Sequence, residues 1–126
     1  MRLLLDSNAL LWWIEEEGPL VAEVRSMIDD AFNEVVVSAA SIWELGIKAA
    51  KGRLKLPPNL PVQLDAMEID LLDVTSVHAE IAAALPLHHG DPFDRMLIAQ
   101  ALHGDYAIVT ADRKFAAYGV PVLAAR

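Results

Sequence analysis

Leu3-Leu4-Leu5-Asp6-Ser7-Asn8 is the stretch on which the reading of the whole chain turns. An unbroken apolar run of this kind suits a central parallel strand covered by helices on both faces. Open α/β sheets build their ligand sites at the carboxyl ends of such strands, so Asp6 stands at a candidate active edge. Three later segments carry acids that could converge there: Ser41-Ile42-Trp43-Glu44, Asp91-Pro92-Phe93-Asp94-Arg95 and Thr110-Ala111-Asp112-Arg113.

Working outward, Ala9 to Ile14 reads as a short helix that Ser7 or Asn8 could cap, ending near Gly18-Pro19. A second helix is expected from Leu20 to Phe32, with Val21, Val24, Met27, Ile28 and Ala31 at helical spacing. Adjacent Trp12 and Trp13 point about 100° apart on a helix. One is therefore expected in the core, leaving its neighbour available for a protein interface. Glu34 to Ser38 is a β-branched strand leading into a helix from Ala40 to Lys51, with Glu44 in its first turns and Gly52 as its stop. After a stiff proline-rich connector, a helix is expected from Val62 to Met67 and a strand from Ile69 to Val74. Thr75-Ser76 then caps an alanine-rich helix from Val77 to Leu85.

The polar loop from Pro86 to Asp91 feeds a helix from Pro92 to His103 closed by Gly104, with Pro92 suited to its first turn. Tyr106 to Thr110 is a strand, Asp112 opens a brief helix through Ala117, and Val120 to Leu123 fits an edge strand that tolerates Pro121. Strands alternating with helices predict a parallel sheet in a three-layer α/β/α sandwich. The 126 residues suit a single domain, 1–126, with a sizeable core.

Composition narrows the function classes. Hydrophobic residues make up 55% of the chain and mean hydropathy is +0.34, which implies an apolar surface for an oligomer or a partner. No stretch approaches the ~20 apolar residues of a membrane span, and the first strand begins without a basic region or cleavage site. The expectation is a soluble, cytoplasmic protein. There is no cysteine, so any metal must be held by oxygen or histidine. The net charge of −8 disfavours a general nucleic-acid coat and leaves such binding to a local patch. Lys48, Lys51, Arg53 and Lys55 form one, four of the ten basic residues within eight positions free of Asp or Glu. A solvated helix end complementing the dipole is the alternative account of the same cations.

Each acid has a structural explanation when taken singly. Asp6, Asp91, Asp94 or Asp112 could cap a helix, and Ser41 with Glu44 matches the reciprocal box S-x-x-E. Jointly, four coincident caps at one sheet edge is the less economical account. Clustered carboxylates repel, so such a site calls for a cation, and hard oxygen ligands select Mg²⁺ or Mn²⁺. These ions lower the pKa of water and neutralise charge on a phosphodiester transition state. Asn8, Asp91 and Thr110 are candidates for positioning the ligands or water around Asp6, Glu44, Asp94 and Asp112. His88 and His89 read as ordinary loop histidines, while Arg95 could touch phosphate or pair with an acidic neighbour. Phosphate-binding glycine loops, the dinucleotide fingerprint and the serine elbow are all missing from the sequence.

With these residues in view, the chain resembles the PIN domains of the VapC-type toxin family. The resemblance runs through Leu4 to Trp12, Ser38 to Lys48 with Trp43-Glu44, His89 to Ala101 with Asp91-Pro92-Phe93-Asp94-Arg95, and Thr110-Ala111-Asp112. Ser7 stands where the family often has threonine, which keeps the hydroxyl. The resemblance implies sheet order 3-2-1-4-5 and a catalytic set of Asp6, Glu44, Asp94 and Asp112 that binds Mg²⁺ or Mn²⁺ for endoribonuclease cleavage. It also implies a homodimer, a VapB-like antitoxin packing along the early helices, where an exposed Trp12 or Trp13 would fit, and a structured RNA target such as tRNA or rRNA. Two alternatives compete. A haloacid dehalogenase-like phosphatase needs an acid where this chain has Asn8, and a non-catalytic PIN-like scaffold would bind RNA or protein without cutting.

Overall fold

The computed structural model describes residues 1–16 and 18–126. Among these, the strands are Arg2–Leu5 (β1), Glu34–Ser38 (β2), Asp70–Leu72 (β3), Ala107–Thr110 (β4) and Val122–Ala124 (β5). They form one sheet, parallel throughout, in the order β3-β2-β1-β4-β5. The helices are Ser7–Ile14 (α1), Ala22–Asp29 (α2), Ala39–Ala50 (α3), Leu60–Ala66 (α4), Ser76–Ala84 (α5) and Pro92–Gly104 (α6), followed by a 3₁₀ helix at Arg113–Tyr118. The expected sandwich and strand order are both present.

Alternation along the strands divides the core into two layers. Leu3 and Leu5 join Val35, Val37, Ala107 and Val109 on one face, under Leu10 of α1, Val24 and Ile28 of α2, Leu45 of α3 and Leu64 of α4. Leu4 joins Val36 and Ile108 on the other, under Leu97, Ile98 and Ala101 of α6 and Phe115 of the 3₁₀ helix. Each fully buried leucine stabilises the fold by about 1.5–3 kcal/mol relative to exposure. No helix among the described residues is long and apolar enough to cross a membrane.

Several boundaries differ from the periodicity reading. Helix α2 is shorter than Leu20 to Phe32 at both ends. Leu20 is buried before the helix starts, and the Val21 N–H donates to the Ala125 carbonyl. At the other end Asp30 Oδ1 accepts the Phe32 N–H in a turn that leaves Phe32 almost wholly exposed. Strand β3 spans three residues instead of Ile69 to Val74, because it pairs on one side only and Glu68 bends the chain at φ 62° just before it. Strand β5 begins after Pro121, whose missing N–H therefore costs nothing while its carbonyl accepts from Ile108.

Trp12 and Trp13 do not divide into one core and one surface residue. Both are half-buried against the first core layer, with the Trp13 indole N–H donating to Asp29 and the Arg126 guanidinium over the Trp12 ring. Trp43 is the tryptophan that stands out, 66% exposed and edge-on to Phe93. It borders a groove of about 560 Å³ with Ala39, Ala40, Val74, Pro92, Phe93 and Met96. One apolar surface of the kind implied by composition lies at the start of α3 and α6, away from the tryptophan pair.

Candidate functional site

Strand β1 delivers Asp6 to the sheet edge without a spare residue. The Asp6 N–H still bonds the Val109 carbonyl, while its Oδ1 already accepts from the Ala9 N–H. Of the three caps the sequence offered for α1, Asp6, Ser7 and Asn8, it is Asp6 that takes the role, and Ser7 is freed to donate its hydroxyl to Glu44 Oε1. Glu44 comes from the second turn of α3, which is capped by Ser38. The predicted S-x-x-E box does not form. Ser41 lies inside the helix with its hydroxyl buried and lacking a protein partner, and Glu44 turns toward Ser7 instead of the helix end.

Asp91 caps α6 by accepting from the Phe93 and Asp94 N–H groups, with Pro92 in the first turn as expected. Asp94 is the third residue of that first turn. Asp112 caps the 3₁₀ helix through Oδ1, accepting from the Lys114 N–H, while its own N–H donates to the Thr110 hydroxyl. Asp6, Glu44, Asp91, Asp94 and Asp112 thus line one cavity of about 150 Å³ together with Ser7, Asn8, Lys48 and Ala111.

Burial and mutual repulsion oppose full ionisation of this cluster. Burial pushes the Asp6 carboxyl above its ordinary value, aided by the charges of Glu44 and Asp112 and resisted by hydrogen bonds from Thr110 and Ala9. Burial likewise lifts Asp94 to about 7, with Asp91, Glu44 and Asp6 adding to the shift and His89 opposing it. Carboxylates so arranged are stabilised in their charged form by a cation, and their all-oxygen donor set fits Mg²⁺ or Mn²⁺.

His89 is the residue that sequence reasoning missed. Only 8% exposed, it sets Nε2 at 2.9 Å from Asp94 Oδ2 and 3.0 Å from Asp112 Oδ2. Its Nδ1 accepts from the Asp91 N–H, so the available signal was a histidine two residues before a helix-capping aspartate. His88 remains exposed, packed edge-on to Tyr118.

Among the basic candidates, Lys48, Lys51 and Arg53 line a groove of about 220 Å³ that shares Glu44, Lys48 and Asp91 with the acidic cavity. Lys55 is exposed and borders neither space. Among the described residues Arg95 forms no ion pair with an acidic neighbour. Its guanidinium donates to the carbonyls of Ala82, Leu85, Pro86 and His89, tying the end of α5 and the following loop to α6. These carbonyls lie in the last turn of α5 and the loop after it, where the helix ladder runs out, and the charge is spent on backbone.

Comparison with known proteins places this geometry in context. Residues 3–121 match the PIN domain family. The chain is 33% identical over 122 residues to ribonuclease VapC22 of Mycobacterium tuberculosis, covering 94% of this chain and 93% of that protein. Its fold is similar to VapBC2 from Rickettsia felis bound to a promoter DNA fragment, with a TM-score of 0.72, 14% identity and 98% of each chain covered. It is also similar to FitAcB from Neisseria gonorrhoeae, with a TM-score of 0.66, 23% identity and 96% of each chain covered.

Proposed function

The chain belongs to the PIN domain family, and from that premise we propose that it is a metal-dependent endoribonuclease, the toxin of a type II toxin–antitoxin pair. The observation that carries this reading is the convergence of Asp6, Glu44, Asp94 and Asp112, from four separate elements, on one cavity at the carboxyl end of the sheet. The ribonuclease relative supports RNA as the substrate, and the toxin–antitoxin complexes among similar folds support a VapB-like antitoxin as partner; a homodimer is the further partner that the family resemblance implies. Residues 1–126 would act as one PIN domain.

Asp6, Asp94 and Asp112, with Glu44, would hold the Mg²⁺ or Mn²⁺. When bound, the ion supplies positive charge against the phosphate and lowers the pKa of water. The protein's own contribution is orientation. Ser7 fixes Glu44, Thr110 holds the backbone of Asp112 and hydrogen-bonds Asp6, and Asp91 sets the first turn that carries Asp94. Asn8 lies exposed at the cavity wall, where its amide can orient water or ribose. Lys48, Lys51 and Arg53 draw the RNA backbone into the adjoining groove.

The test is cleavage of total RNA by the purified, antitoxin-free protein with Mg²⁺, Mn²⁺ or EDTA, beside Asp94→Asn. Cleavage should require the ion and be lost in the variant while the fold is kept. A folded protein that binds the ion and leaves RNA intact would favour the non-catalytic scaffold.

A further inference from the structure

The loop before α6 contributes to the acid cluster a side chain that an all-carboxylate ligand set does not need. We infer that His89 is a positioning residue, presenting one N–H to both Asp94 and Asp112, and is not itself a metal ligand. The inference rests on the metal-dependent reading above and deepens it.

Ligation is the competing account, since His89 Nε2 and oxygens of Asp94 and Asp112 lie within 4.8 Å of one another, close enough for a single ion. The contact that decides between them is at the other ring nitrogen. The Asp91 N–H donates to Nδ1 at 3.2 Å, and an imidazole nitrogen that accepts carries no hydrogen. The network therefore assigns the ring hydrogen to Nε2, which makes Nε2 a donor at 2.9 and 3.0 Å from the two carboxylates. Ligation through Nε2 would move that hydrogen to Nδ1. Two N–H donors would then face each other, and the Asp91 N–H would lose its acceptor.

The ring is not free to escape this choice by swinging away. The His89 N–H donates to the Tyr118 hydroxyl at 2.7 Å, and its carbonyl accepts from Arg95 at 3.2 Å. Phe115 stands edge-on at 5.7 Å between ring centroids. Contacts from α6 and from the 3₁₀ helix thus hold the imidazole between an acid of each. One shared N–H restrains Asp94 relative to Asp112.

Mn²⁺ bound to the full-length, antitoxin-free chain provides the test, through pulsed electron paramagnetic resonance for nitrogen coupling and titration for affinity. The wild-type spectrum should lack the coupling of a directly bound nitrogen. His89→Ala should weaken Mn²⁺ binding about ten- to a hundredfold. His89→Gln, whose amide N–H can replace the imidazole donor, should recover most of that loss. A directly bound nitrogen that disappears in His89→Gln would overturn the inference, as would His89→Ala binding Mn²⁺ as tightly as wild type. The expected spectrum and affinities in a protein that leaves RNA intact would sustain this inference while counting against the nuclease. Absence of Mn²⁺ binding by the folded wild type would remove both.

Discussion

Asp6 accepts the Ala9 N–H and also lines the acidic cavity, and Asp91 and Asp112 combine a cap with a place at the site in the same way. Capping and site formation are not rivals, because a carboxylate has two oxygens and about four acceptor positions. The cap spends one and fixes the side chain's direction. What capping does not relieve is desolvation, and this makes the metal-free protein sensitive to pH. Asp94 titrates at about 7 in the folded chain against an ordinary value of 3.8. A carboxyl that holds its proton more tightly when folded contributes stability that is complete below its unfolded pKa and is lost as pH rises through the folded one. Thermal melts in EDTA should therefore show the midpoint falling from about pH 5 to about pH 8. Asp94→Asn should flatten that fall and melt higher than wild type at the upper end; a wild-type midpoint that rises over the same interval would contradict the shift.

At the scale of elements, α6 shows how a helix end is decided by what packs on it. Gly104 reads as an ordinary glycine stop, but the residue that takes the left-handed conformation is Asp105, at φ 60°. Gly104 is the last helical residue, and its lack of a side chain makes room for Tyr106, since a Cβ there would lie 2.3 Å from the ring. That ring is buried, stacked under the Arg2 guanidinium, and hydrogen-bonded to it through the hydroxyl. Glycine to alanine inside a helix usually stabilises by up to about 1 kcal/mol. Here overpacking should reverse the sign, and Gly104→Ala should cost about 1–3 kcal/mol in urea unfolding. A stabilised variant would mean that the Tyr106 ring yields easily.

For the whole molecule, charge distribution bears on RNA binding more than net charge does. The chain carries −8 overall, yet Lys48, Lys51 and Arg53 gather along the groove that opens into the acid cluster. A polyanion approaching elsewhere is repelled, so the local cations should account for most of the affinity. Replacing Lys51→Glu and Arg53→Glu together should weaken binding of single-stranded RNA and lower the slope of log affinity against log salt by about 1.4, from ~0.7 per phosphate contact. Mn²⁺ affinity should stay unchanged, because neither residue lines the acidic cavity. Equal RNA affinity in the double variant would move the binding surface away from this groove.

Local pattern was enough to reveal the layered α/β architecture. Leu3 to Leu5 suit a strand covered on both faces, as the strands of parallel sheets are, and Asp6, Asp94 and Asp112 follow strands or open helices at positions readable from spacing alone. Hydrophobic alternation and capping chemistry act over a few residues, so they leave a trace in the sequence. Partnerships between residues far apart in the chain leave none. Whether Ser41 or Ser7 would meet Glu44, whether Arg95 would face an anion or four carbonyls, and which tryptophan would stand exposed all depended on how α1, α3, α5 and α6 came together. His89 is the sharpest case. Its loop reads as polar and unremarkable until Asp94 and Asp112, five and twenty-three residues away, close on either side of one imidazole N–H.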